Sequence, residues 1–425
     1  MTGSLVFDLG LGPEIWLFLT LLICVTLFFK FSRIWSVRNL DLLLLFALAP
    51  GIMKLVGDGD HQPWFAFVWL FLGSVAWLVR CILDLGLTRR PLLEPNLNVA
   101  GLACLSVGMM SLLIAETISI PVDEGEARNP AAPSGRDTPP PPGAKDVNST
   151  VNKVLQIAPL PSSLKPNPPQ VILSRVLASL AHIGLVAALI VVGWRHFERP
   201  IAGLAVATCY LLSPYTRIAL VDSGQVVPAA FIVTALAVYT RPAIAGALIG
   251  LAAGWMPACI GLLPLWTGFY RSKGWIRFST VSLSVLLACV ILGAWIPGLA
   301  PWARALGARS LAEAGLLPGV EPPTSGSFWA MIDSSYRLPV LIAFLALVIV
   351  TSIWPAEKNL GELIALSAAS LIASQFWYLE EGGTLVLLYL PLLLLMMFRP
   401  NLTLKRPIAG RLRNREDRRT LFPVR

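Results

Sequence analysis

The sequence predicts an all-α fold: a polytopic transmembrane helix bundle of about eleven full spans plus one re-entrant helical hairpin. Three observations carry this expectation. Only 13% of the 425 residues are charged, where a soluble domain carries roughly 25%. Hydrophobic residues make up 56%, and mean hydropathy is +0.72. The apolar residues also arrive in unbroken runs, and runs of about 18 or more read as bilayer spans rather than as a soluble core. A membrane barrel would instead alternate polar and apolar over segments of about ten residues, and no such alternation is present.

Taken in order, the runs place spans at about 14–30, 40–56, 63–80, 97–116, 171–193, 200–216, 225–240, 278–297, 338–355, 360–377 and 384–398. The first run has Asp8 and Glu14 ahead of it and no basic region or small-residue cleavage site, so it reads as a retained helix rather than a signal peptide. The stretch AIAGALIGLAAGWMPACIGLLPLWTGFY, between Arg241 and Arg271, is too long for one span and too short for two. Charge sorting resolves it. Lys30, Arg33 and Arg38, then Arg80, Arg89 and Arg90, Arg195 and Arg199, Arg241, and Arg271, Lys273 and Arg277 all mark cytoplasmic turns by the positive-inside rule. Turns with Asp58 and Asp60, Asp222, and Glu380 and Glu381 fall between them. Every assignment agrees if 242–270 is two short helices meeting near Trp255-Met256-Pro257 and returning to the cytoplasmic side. The N-terminus then lies outside and the basic tail, 399–425, in the cytoplasm, where it faces anionic lipid heads.

Two outer segments are long. Residues 117–170 are dense in Pro, Gly, Ser and charge and cannot bury a core, so most of the segment is expected to be disordered; it also holds the sequon Asn148-Ser149-Thr150. Residues 298–337 contain WARALGARSLAEAGLL, which suits a short helix lying on the membrane surface. Other classes are excluded. The six cysteines form no CxxC and there are three histidines, so neither a disulfide framework nor a metal site is expected. The net charge of +9 is concentrated in the tail, with no folded basic domain or interleaved aromatics for nucleic acid. The turn Gly57-Asp58-Gly59-Asp60-His61 reads as turn chemistry rather than a metal loop.

From about Ser174 to Arg277 the order of features is distinctive: Ser213-Pro214, then Gly224-Gln225, Arg241-Pro242, Gly246, Gly250-Leu251-Ala252, Pro257 and Leu263-Pro264. This order resembles the membrane core of the GT-C glycosyltransferases, in particular polyprenyl-phosphate-dependent enzymes of the mannosyltransferase and arabinosyltransferase kind. The segment SQFWYLEEGGTLVLLYLPLLLL (374–395) is similar to that family's closing helix pair. The resemblance implies a core at 97–398 with an N-terminal three-span addition at 1–96, in a bacterial cytoplasmic membrane. It implies inverting transfer of a sugar from a polyprenyl-phosphate donor to a glycan, lipid or protein acceptor at the extracytoplasmic face, with no cofactor. The sequence departs from the family in two places: Met256 stands where a lysine is common, and the first outer loop offers Asp123, Glu124 and Glu126 without the usual aromatics.

Such chemistry needs a carboxylate to take the acceptor proton and cations beside the departing phosphate. The candidate bases are Asp123, Glu124 and Glu126, just after a span, and Asp222, which reads equally as a helix N-cap. Candidate substrate contacts are Arg217, Arg175 and Arg337, each equally a snorkelling membrane-surface cation, and Gln225, Glu380 and Glu381, equally turn residues. His182, within a span, reads as a helix–helix hydrogen bond or a proton relay, and Glu116 as an interfacial helix end. Two other classes stay open: a transporter or lipid flippase, which the Pro-broken 242–270 segment suits, and a non-catalytic scaffold using the Pro-rich segment as a binding arm.

Overall fold

The computed structural model describes residues 13–57, 64–87, 93–119, 168–295, 299–309, 328–330, 332, 336–378, 382–402 and 405–406. Among these residues there are sixteen α-helices and no strand. The helices are α1 (Pro13–Phe28), α2 (Val37–Ala47), α3 (Ala49–Gly57), α4 (Trp64–Leu83), α5 (Val99–Ser119) and α6 (Pro168–Arg195). Then follow α7 (Pro200–Leu212), α8 (Pro214–Ile218), α9 (Ser223–Ala237), α10 (Pro242–Trp255), α11 (Leu262–Phe269) and α12 (Trp275–Trp295). The last are α13 (Leu299–Ala305), α14 (Arg337–Ile353), α15 (Leu360–Ser374) and α16 (Val386–Phe398). Four of them (α4, α5, α6 and α12) are long and apolar enough to cross a membrane, and eight shorter helical segments are apolar. The chain is an α-helical membrane protein.

Proline sets the boundaries. Pro200, Pro214 and Pro242 each open a helix, where a missing N–H is no loss. The run at 40–56 is broken at Leu48, ahead of Pro50, so it forms two helices. The break is stabilised from outside: Tyr215 Oη donates to Leu45 O at 2.5 Å, and Trp69 Nε1 to Ala47 O at 2.6 Å. The run at 200–216 breaks in the same way at Ser213-Pro214 into α7 and α8.

Small residues set the packing. In lipid there is little hydrophobic drive between helices, so close backbone approach takes over. Gly246, Gly250 and Gly254 line one face of α10, where a Cβ would fall 2.7 Å from Phe278 O, 2.6 Å from Ser282 O and 2.6 Å from Cys289 Cβ. The rising order of these partners means that α10 and α12 run parallel. After the 3₁₀ turn at Pro257–Gly261, α11 returns to the starting end, where Tyr270 Oη donates to Tyr239 O at 2.5 Å and Thr267 Oγ1 lies 3.1 Å from Ser279 Oγ. Residues 242–270 are therefore two short antiparallel helices broken at Pro257. Their tip meets Cys289, six residues short of the α12 end at Trp295, about 9 Å at 1.5 Å per residue. At the centre lie α15 and α16, with every residue of α16 buried, as expected for a helix apolar on all sides.

The basic turns gather at one end of the bundle and are cross-braced there. His196 Nε2 bonds Ala237 O at 2.8 Å, and Leu360 N donates to Lys405 O at 2.8 Å. Arg80 grips Asp41 in a two-pronged pair (2.6 and 2.7 Å) and reaches Asp84 at 3.1 Å. Arg399 pairs with Asp84 from the far end of the chain, and Gly361 leaves the space that its guanidinium fills. Lys405 pairs with Glu198 and Arg406 with Glu357. The sequence reading set the tail's cations against lipid heads; Arg399, Lys405 and Arg406 pair with carboxylates at this end of the bundle. The remaining tail at 407–425 lies outside the described residues, as do 120–167 of the Pro-rich segment and 310–327 of the second long segment. Of the expected surface helix, α13 is the described part.

Candidate functional site

At the opposite end, the turn leading into α9 is built as a small polar assembly. Asp222 is the N-cap of α9, and its carboxylate accepts from Gly224 N at 2.9 Å. Ser223 Oγ donates to Leu306 O at 2.7 Å, which draws the segment after α13 against the turn. That approach requires glycine on both sides. Gly307 has φ +87° and a Cβ there would sit 2.6 Å from Gly224 N; one on Gly224 would sit 3.1 Å from Gly307 O. The chain then carries Arg309 over the turn, with its backbone N donating to Trp255 O at 2.8 Å, at the tip of the 242–270 hairpin.

Three functional groups meet here. Burial pushes the Asp222 carboxyl above its usual range; the Arg309 guanidinium and the Gly224 and Gln225 amides pull it back without cancelling the rise. Gln225 is 5% exposed, its amide faces the Asp222 carboxylate, and its Oε1 has no partner. The result is a half-buried carboxylate of raised proton affinity, a buried amide oxygen available to a hydroxyl, and a guanidinium alongside.

The other candidates stand as follows. Arg217 is engaged elsewhere: its Nε donates to Glu116 at 2.8 Å and its guanidinium lies 4.5 Å from the Trp16 ring centre. Those contacts tie α1, α5 and α8 together, and they give Glu116 a partner that the sequence reading did not foresee. Arg337 Nε donates to Trp377 O at 2.9 Å, binding the start of α14 to the turn after α15. Arg175 lies on α6, seven residues before His182. His182 is buried, with Nε2 3.1 Å from Leu220 O and Nδ1 2.8 Å from Tyr210 Oη. A carbonyl can only accept, so Nε2 carries the proton and Nδ1 accepts from the tyrosine. These contacts link α6 to Tyr210 of α7 and to the turn after α8. Asp123, Glu124, Glu126, Glu380, Glu381 and the 57–61 turn's Asp58, Asp60 and His61 lie outside the described residues.

Arg309 is the site residue that sequence reasoning missed. Its signal was the Leu306-Gly307-Ala308-Arg309 order, a glycine closing a helix so that the next cation turns back over it. The Asp41, Arg80, Asp84 and Arg399 cluster was missed too, because its cations read as topology markers.

No family model, curated protein or solved structure matches the chain.

Proposed function

We propose that the chain is a GT-C-like membrane glycosyltransferase, moving a sugar from a polyprenyl-phosphate donor to an acceptor hydroxyl at the extracytoplasmic face. The observation that carries this reading is the assembly of Asp222, Gln225 and Arg309 at the end of the bundle away from the basic turns. Asp222 acts as general base: it takes the proton of the acceptor hydroxyl as that oxygen attacks the anomeric carbon from the side opposite the phosphate. The bond to the phosphate oxygen breaks, polyprenyl phosphate departs with the bonding pair, and the anomeric centre inverts. Arg309 offers charge to the departing phosphate. Gln225 Oε1 accepts a hydrogen bond from a sugar hydroxyl. Polyprenyl chain lies among the membrane helices, with the donor head at the Asp222 turn. No metal or nucleotide takes part in this scheme.

The test is turnover of polyprenyl-phosphate mannose and polyprenyl-phosphate arabinose by purified protein, read as release of polyprenyl phosphate. Asp222→Asn keeps an N-cap but removes the base, and release is expected to fall by about 10²–10⁴-fold. Full release by Asp222→Asn would move the base elsewhere. Release by neither wild type nor variant with either donor would remove the glycosyltransferase reading.

A further inference from the structure

We infer that the turn at 219–225 and the segment at 306–309 form the floor of a recess open to water, about 10 Å below the membrane surface at the end away from the basic turns. Helix lengths give the depth. The long helices α4, α5 and α12 have 20, 21 and 21 residues, about 30–32 Å at 1.5 Å per residue, and a hydrocarbon core is about 30 Å thick. The central helices α7, α9, α10, α15 and α16 have 13 to 15 residues, about 20–22 Å. Exposed aromatics mark both interfaces: Trp194, Trp275 and Trp354 at the basic end, Trp64 and Tyr336 at the other. Two long helices measure the floor independently. His182, whose Nε2 lies 3.1 Å from Leu220 O, is thirteen residues along α6 from Arg195, about 20 Å. Gly254, next to the Trp255 whose carbonyl accepts from Arg309 N, packs on Cys289, fourteen residues into α12 from Trp275, about 21 Å. The same depth comes from α9, which ends at the basic level, where His196 holds Ala237 O, and begins at Ser223, about 21 Å away.

Depth then decides the surroundings. Non-helical backbone and ionisable side chains within the hydrocarbon layer persist only where protein buries them or water reaches them. Residues 219–222 and 306–309 are non-helical, and Val221, Asp222, Ala308 and Arg309 are each partly exposed, so protein does not seal the floor. Exposing a carboxylate and a guanidinium to acyl chains is costly, which leaves water. The recess lies between α6 and α12: α13 packs on both, and the bond from Ser223 to Leu306 O holds the chain beyond α13 at the floor. A water-soluble molecule bearing hydroxyls therefore reaches Asp222 directly, whereas a lipid head group reaches it only by sinking below its neighbours. Neither route requires Asp222 to be a base.

Spin labels on a cysteine-free background in lipid nanodiscs test the recess. Labels replacing Val221 and Ala308 read the floor, and labels replacing the exposed Leu180 and Val290 read the lipid-facing surface at the same depth. A label replacing Ile172, ten residues before His182 on α6 and so about 15 Å beyond the floor, reads the aqueous side. Collisions with a water-soluble nickel chelate are expected to be several-fold more frequent at 221 and 308 than at 180 and 290, where oxygen dominates. Oxygen dominance at 221 and 308 would put acyl chains on the floor, and shielding from both reagents would seal it in protein. Chelate collisions at 180 and 290 as frequent as at 172 would lift the floor to the membrane surface. Any of the three overturns the recess. Wild-type protein supplies a second reading that needs no variant: Asp222 is expected to react several-fold faster with a water-soluble carbodiimide than with dicyclohexylcarbodiimide. The reverse order would also overturn it.

Discussion

At the scale of residues, the two ends of the bundle use carboxylates in opposite ways. Asp84 is fully buried but answered by Arg80 and Arg399, so the charges stabilise one another. Breaking a buried pair leaves the partner charge stranded, at about 3–5 kcal/mol. Asp84→Asn is therefore expected to lower the unfolding temperature markedly, and Arg399→Met likewise; a double variant that loses less than the sum would mark them as one unit. Asp222 is different. Burial raises its folded carboxyl above the usual 3.8, so the folded state holds a proton that the unfolded state has released in the window just above that value. Stability then falls as pH rises through the window, and the charged form is a net cost at pH 7. Asp222→Asn is expected to leave Tm unchanged or raised at pH 7 while turnover drops. A clear loss of Tm in that variant would make Asp222 a structural cap and nothing more.

The contrast also marks what the sequence could convey about the site. Asp222, Gln225 and the break at Pro257 were legible because local chemistry, a cap before an apolar run and a proline within one, fixes them. The partners were not. Arg399 lies 315 residues from Asp84 and Glu116 lies 101 residues from Arg217. Nothing local distinguishes a cation with a distant carboxylate from one facing a lipid head.

At the scale of elements, hydropathy found nearly every helix because length and apolar content are what the bilayer demands. It did not find the break at Leu48, where Tyr215 and Trp69 donate to the carbonyls of Leu45 and Ala47, or the break at Ser213, where Thr216 Oγ1 donates to Tyr210 O. It did show the break at Pro257 that ends α10, but not the face of Gly246, Gly250 and Gly254 that presses on α12. Gly246→Ala is expected to part α10 from α12, since its Cβ would meet a carbonyl that cannot rotate away, and to cost about 1–3 kcal/mol. Gly108→Ala on α5, with nothing within 4 Å of the added methyl, is the control and is expected to be neutral or stabilising. Equal losses in a thermal-shift series would mean that α10 and α12 do not pack through this face.

At the scale of the whole molecule, the basic turns sit at one end of the bundle and the Asp222 assembly at the other. We propose that the basic end is cytoplasmic, with the N-terminus outside. On a cysteine-free background, cysteines placed at 140 and 320 are expected to react with an impermeant reagent in intact cells, and those at 196, 274 and 412 to stay protected. Reaction at 412 would reverse the orientation. The account's central claim is that a polyprenyl-phosphate donor places its head at the Asp222 end. A polyprenyl phosphate carrying a diazirine in its first isoprene unit tests it most directly, by photo-crosslinking to the purified protein and mapping of the labelled peptides. The account predicts label on the peptides spanning 219–227 and 302–309, competed away by unlabelled polyprenyl phosphate. Label confined to the turns at 195–199 and 271–274, or spread evenly over the lipid-facing helices without competition, would contradict it.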